Sequence, residues 1–171
     1  KELIVNATGD AAYYRIDHFA LLDQQVKSTI ESRSESRKEN RKQTDKELAQ
    51  GEDDGAQEFQ MGDDIEVELR IISPDERPPV AVVGVVRADG TPVYGVASDH
   101  DHSTPVKVAE NLYQFRFRLE NIQLLPGSYN LRGHSMDPEG LRVFDSHEFA
   151  FTVRGNTKEL GYIRLPHQWL E

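Results

Sequence analysis

The stretch Asn111–Val153, "NLYQFRFRLENIQLLPGSYNLRGHSMDPEGLRVFDSHEFAFTV", decides the fold. Tyr113, Phe115, Phe117 and Leu119 alternate with Gln114, Arg116 and Arg118, the period of two that a half-buried antiparallel strand requires. Pro126 and Gly127 mark a tight turn. Beyond them Tyr129, Leu131 and Gly133 share one face of a second strand, and Asn130, Arg132 and His134 share the other. "DPEG" turns the chain again, and Val143 to Val153 predicts a third long strand with Phe144, Ser146 and Glu148 on its outward face. Three consecutive strands joined by turn chemistry, with no catalytic constellation beside them, point to a sheet that recognises something.

Upstream of this stretch the same grammar continues. In "FQMGDDIEVELRIIS", Gly62 and Asp63 make a turn, and Ile65, Val67, Leu69 and Ile71 alternate with Glu66, Glu68 and Arg70. The nearly all-apolar "VAVVGVVR" suits an interior strand. "ADGTP" turns it into a partner strand, Val93 to Ala97, because Asp89 and Gly90 accept positive φ. A short strand at Val106 to Val108 follows a polar loop. Tyr13 to Leu22 reads as a first strand, with Tyr14, Ile16, His18 and Ala20 on one face and Tyr13, Arg15, Asp17 and Phe19 on the other. About eight short strands with turns every 8 to 12 residues predict an all-β fold, an immunoglobulin-like antiparallel β-sandwich.

Between the first two strands the composition changes. Residues 27–58, "KSTIESRSESRKENRKQTDKELAQGEDDGAQE", hold almost no apolar side chain except Ile30 and Leu48, so nothing there can anchor to a core. We read it as a charged insertion, partly helical or disordered, in a single domain spanning residues 1–171.

The totals exclude several classes of function. With no cysteine among 171 residues, there is neither a disulfide framework nor a thiolate metal site, and a reducing, cytoplasmic setting is expected. A net charge of −10 argues against nucleic acid as a partner, since phosphate binding rests on clustered Lys and Arg. No apolar run approaches the roughly 18 residues of a spanning helix. No GxxxxGK(S/T) phosphate loop occurs, so ATP hydrolysis is not expected of this chain. The opening at "KELIVNATGD" without Met suggests a piece of a longer protein.

The order "FQMGDDIEVELRI", "VVGVVRADGTPVYGVAS", "LLPGSYNLRGHSMDPEG", "FDSHEFAFTV" and "GYIRLPHQW" resembles the carboxy-terminal domain of the Wzt-type ATPase subunit of ABC transporters that export O-antigen polysaccharide. The resemblance covers Phe59 to Trp169 well and Tyr13 to Asp23 loosely, and residues 27–58 depart from it. It implies a sandwich that binds O-antigen polysaccharide near its non-reducing end and couples recognition to export. ATP hydrolysis would then belong to a separate nucleotide-binding domain. It further implies partnership with the transporter's transmembrane subunit at the inner face of the inner membrane, and a homodimer. The last stretch, residues 160–171, is a candidate for exchange between chains, with edge-strand packing inside one chain as the other reading.

Glycan binding needs hydrogen-bonding groups set against hydroxyls and a ring or two on which a sugar can stack. Strand parity nominates Asn130, Arg132, His134, Phe144 and Ser146, with Tyr94 on the hairpin after Gly90. An outward Phe144 is either a stacking platform or part of a subunit contact; if the register slips by one residue it belongs to the core. Arg116 and Arg118 are expected to pair with Glu66 and Glu68 across strands. "DHDH" at Asp99 to His102 has metal-ligating residue types but needs a third element, His134 or His147, to converge on an ion. Asp145 with His147 could pass a proton, and Asp145 with Glu148 has the residue types of a glycosidase pair, but residues three apart on a strand face opposite sides. No catalytic residue, metal or cofactor is assigned. A dimerisation or docking module without glycan contact is the alternative function.

Overall fold

A computed structural model describes residues 13–22 and 57–170. Among them are nine strands: β1 (Arg15–Leu21), β2 (Gln57–Gln60), β3 (Ile65–Ile72), β4 (Val80–Arg87), β5 (Pro92–Ala97), β6 (Val106–Ala109), β7 (Leu112–Leu119), β8 (Gly127–Met136) and β9 (Val143–Arg154). They form two sheets in the orders β1-β3-β7-β6 and β2-β9-β8-β4-β5. That is the division of an immunoglobulin-like sandwich: two outer and two inner strands in one layer, with the hairpin β4–β5 extending the other.

The alternation read from sequence explains the layers. Ile65, Val67, Leu69 and Ile71 of β3 are buried, and they face Val83 and Val85 of β4, Leu131 of β8, and Phe151 and Val153 of β9. Each such side chain contributes about 1.5–3 kcal/mol of burial. On the outer side of the four-stranded sheet, β3 and β7 pair Glu66 with Arg118 and Glu68 with Arg116, and both pairs are ion pairs, as expected. Glu68 is itself buried, held by Arg70 at 2.6 Å and by the Gln114 amide at 2.8 Å.

The turn before β8 is fixed from within. Tyr129 is buried, its ring stacks on Phe151 at 5.7 Å, and its hydroxyl donates to the Leu125 carbonyl at 2.6 Å. This is the tyrosine corner of immunoglobulin-like sandwiches, written in the sequence as "LLPGSY".

Three departures from the expected strands have physical causes. First, β2 lies where a charged insertion was expected to run on to Glu58, and it pairs with β9 in parallel, Gln57 opposite Phe151 and Gln60 opposite Arg154. Phe59 accounts for it: its ring meets Phe151 edge-on at 5.9 Å, so this strand has an apolar anchor after all. The five-stranded sheet is therefore mixed, not wholly antiparallel. The rest of the insertion, residues 27–56, lies outside the described residues.

Second, β1 carries a bulge at Asp17: Ile16 pairs with Ile71, but His18 pairs with Arg70. An extra residue exchanges the faces beyond it. Tyr14 and Ile16 point inward before the bulge, and Phe19 and Leu21 do so after it, so Tyr14 and Ile16 do not share one face with His18 and Ala20 as the alternation predicted.

Third, β9 shifts register where Ser135 faces Asp145 but Met136 faces Val143, leaving Phe144 unpaired. The two bulges meet, because the Ile16 amide donates to Asp145 Oδ2 at 2.9 Å.

Candidate functional site

The register of β8 sets out a row of polar side chains on the exterior of the five-stranded sheet. Tyr129, Leu131, Gly133 and Ser135 are buried, so Asn130, Arg132 and His134 between them face outward, as the alternation predicts. Across the ladder His134 faces Ser146, Arg132 faces Glu148 and Asn130 faces Ala150. On the other side Val82, Gly84 and Val86 of β4 oppose the same three residues. Gly84 in turn opposes Gly95 of β5.

Two contacts order this face. Arg132 donates through Nε and Nη2 to Glu148 Oε2, both at 2.9 Å. His134 Nδ1 and Ser146 Oγ lie 2.6 Å apart. Burial, with the neighbouring Arg132 charge, lowers the His134 pKa, and Glu148 only partly opposes this. The imidazole is thus neutral at pH 7, a donor at one nitrogen and an acceptor at the other.

Gly84 and Gly95 leave bare backbone beside Arg132. A Cβ on Gly84 would come within 2.8 Å of the Tyr94 carbonyl oxygen, whereas one on Gly95 would meet nothing nearer than 3.9 Å. Neither glycine was nominated from sequence. Their opposition depends on the hairpin register, which no local motif specifies.

The two aromatic candidates are elsewhere. Phe144, unpaired at the β9 bulge, packs against the core with its ring 5.4 Å from that of Tyr14 and the Arg142 guanidinium 4.9 Å above it. It does not share the face of Ser146, so its expected place as an outward platform is corrected. Tyr94 is on the same sheet, as anticipated, but it opposes the core residue Val85 and lines a cleft of about 230 Å³ between the layers. The cleft is walled by Val93, Leu119, Ile122, Leu124 and Ile163. Asn130, Arg132, His134 and Ser146 are therefore brought together, and Tyr94 and Phe144 are not.

The terminal segment borders that cleft. Ile163 bridges Leu124, the Leu125 amide donates to the Tyr162 carbonyl at 2.9 Å, and the Arg164 amide donates to the Gln123 carbonyl at 2.7 Å. The Arg87 guanidinium lies 4.2 Å over the Tyr162 ring. Tyr162 and Ile163 are thus held by backbone bonds within the chain but stay 39% and 43% exposed, while Leu165, Trp169 and Leu170 are 72%, 95% and 80% exposed.

The remaining motifs do not assemble. Asp145 turns toward β1 to receive the Ile16 amide and Glu148 turns outward to Arg132, so these carboxylates do not flank a common site. His147 Nε2 stands 3.8 Å from Asp145. Among the described residues no three side chains of metal-ligating type converge around Asp99–His102 or elsewhere, and no helix is long and apolar enough to cross a membrane.

No protein-family profile and no curated protein matches the chain. Among solved structures it is similar to the soluble domain of PmoD from Methylocystis sp., with 17% identity over 57% of this chain and 77% of that one, and a TM-score of 0.31. That likeness is too slight to carry over either fold or function.

Proposed function

We propose that the exterior of the five-stranded sheet binds a polysaccharide, with Asn130, Arg132, His134, Ser146 and Glu148 supplying hydrogen bonds to sugar hydroxyls. The observation that carries this reading is the contiguous row of donors and acceptors, held in place by the Arg132–Glu148 and His134–Ser146 contacts. Side chains already ordered lose little freedom when a ligand arrives. The resemblance to the carboxy-terminal domain of Wzt-type ATPase subunits supports the same reading. It extends the proposal to O-antigen polysaccharide as ligand, to a cytoplasmic place on an export transporter, and to a homodimer. The chain would act as a reader of glycan and leave ATP hydrolysis to a nucleotide-binding domain.

Titration of the protein with O-polysaccharide oligosaccharides, followed by amide NMR shifts, tests it. Shifts centred on β8 and β9 that vanish in Asn130→Ala/Arg132→Ala support the proposal. No shift at millimolar oligosaccharide overturns it.

A second reading, a dimerisation or docking module, is favoured by the exposed Leu165, Trp169 and Leu170, which follow the cleft-lining Ile163 in sequence. Light scattering of the intact chain and of a chain ending at Arg164, read together with the oligosaccharide titration, distinguishes it: a dimer lost on shortening the chain, with no shift on adding oligosaccharide, supports this second reading.

A further inference from the structure

The charges on the candidate face are all internally balanced. Among the described residues, the ionised side chains on the outward rows of β2, β4, β5, β8 and β9 are Arg132, Glu148, Arg154 and Glu58. Arg132 is bound to Glu148 at 2.9 Å and Arg154 to Glu58 at 2.6 Å. The face is thus neutral on a chain whose formal net charge is −10. An anionic ligand would approach against the field of the whole molecule and find each guanidinium already compensated. A cationic ligand would find both carboxylates engaged.

The interior of the face is unlike its polar row. Gly84 and Gly95 lie side by side with no side chain, next to Arg132, and the half-buried Val82 stands two residues before Gly84 on the same face of β4. This is a shallow floor of backbone and aliphatic groups with a hydrogen-bonding wall along one side. The wall suits hydroxyls, because Arg132 and Glu148, bound to each other through Nε, Nη2 and Oε2, set a guanidinium donor beside a carboxylate acceptor. The floor suits the C–H face of a pyranose ring that lies flat where a larger residue would block it.

Resting on the glycan-binding reading above, we infer that the ligand is an uncharged pyranose segment seated over the Gly84–Gly95 floor and hydrogen-bonded along the Arg132–Glu148 wall. Uronic acids, sialic acids and phosphorylated sugars are excluded from this seat. The seat uses no aromatic platform, since Tyr94 and Phe144 both point elsewhere.

The floor offers a clean test because its two glycines differ. A Cβ at Gly84 collides with the backbone of β5, but one at Gly95 makes only ordinary contact, 3.9 Å from the Gly84 Cα and the Val83 carbonyl oxygen, so Gly95→Leu covers the floor without a clash at Cβ. The intact protein and Gly95→Leu are applied to an array of neutral hexose and deoxyhexose oligosaccharides together with uronate, sialate and sugar-phosphate oligosaccharides, and hits are titrated by calorimetry. The expected result is binding of neutral oligosaccharides, with affinity changing less than about twofold between low and high salt. Gly95→Leu is expected to weaken it about tenfold or more with an unchanged thermal midpoint. Preferential binding of acidic oligosaccharides, with affinity falling steeply as salt rises, overturns the inference and leaves glycan binding standing. Neutral binding that Gly95→Leu does not weaken overturns the placement on the floor. Failure of every oligosaccharide to bind removes the glycan-binding reading itself.

Discussion

The Tyr129 hydroxyl reaches back four residues to the Leu125 carbonyl, 2.6 Å away, and so closes the loop that delivers the chain into β8. The strand carrying most of the candidate site is thus set in place by a buried bond at its start. Burial also raises the Tyr129 pKa, so the phenol stays a donor across the ordinary pH range. Tyr129→Phe removes the donor and leaves a carbonyl unsatisfied. We expect a loss of about 1–2 kcal/mol in urea unfolding with an unchanged m-value.

Gly133 lies beneath the Phe19 ring, whose nearest atoms would be 3.0 to 3.2 Å from any added Cβ. Phe19 is also in contact with Phe149 at 4.9 Å between ring centroids, so it has little room to retreat. Gly133→Val should therefore destabilise the fold by about 1–3 kcal/mol through overpacking. Gly133→Val combined with Phe19→Leu should recover part of that loss, as read by thermal unfolding.

Asp75 joins β1 to the loop before β4. It accepts from the Tyr14 hydroxyl at 2.8 Å, Ser73 Oγ at 3.0 Å and Arg77 Nε at 2.6 Å. Burial works against its ionisation, but hydrogen bonds from Arg77, Tyr14 and Ser73 outweigh burial and hold its carboxyl well below the usual carboxylate range. Below about pH 4 the unfolded chain takes up this proton and the folded one does not. Stability from this group is therefore complete above that pH and is lost as pH falls toward the folded value. Asp75→Asn should flatten the acid limb of a stability profile measured by urea unfolding between pH 2 and pH 5.

His134 produces a second, separate pH dependence. Because its folded pKa is lowered, the unfolded state binds the proton first as pH drops below about 6.5. The contribution present above that pH is lost as pH falls through the folded value. We expect His134→Gln to remove a decline in thermal midpoint that sets in as pH falls below about 6.5. The chemical shift of the His134 ring protons against pH gives the folded pKa directly.

The parts of this fold that are legible in sequence are those where alternation is uninterrupted. In β3, β7 and β8, periodicity alone places every inward and outward residue, and with β8 comes the Asn130, Arg132 and His134 row. Two of the failures share one cause, a change of register. The extra residue at Asp17 exchanges the faces of β1, and the shift near Phe144 sends that ring to Tyr14. Both are stabilised by contacts between residues more than a hundred positions apart, such as the Ile16 amide with Asp145, which no local pattern encodes. Tyr94 fails differently: "ADGTP" specifies a turn but not which residue of β5 will oppose Val85. β2 escapes notice because one apolar residue, Phe59, defines it within a polar stretch.

The bond from the Ile16 amide to the Asp145 carboxylate joins strands that belong to opposite layers. A load pulling on β1 would therefore pass directly into β9 at one corner, bypassing the greasy middle of the sandwich. The layers would resist sliding past one another there until that stitch and the neighbouring one, from Ser135 Oγ to the Tyr14 carbonyl at 2.7 Å, tear.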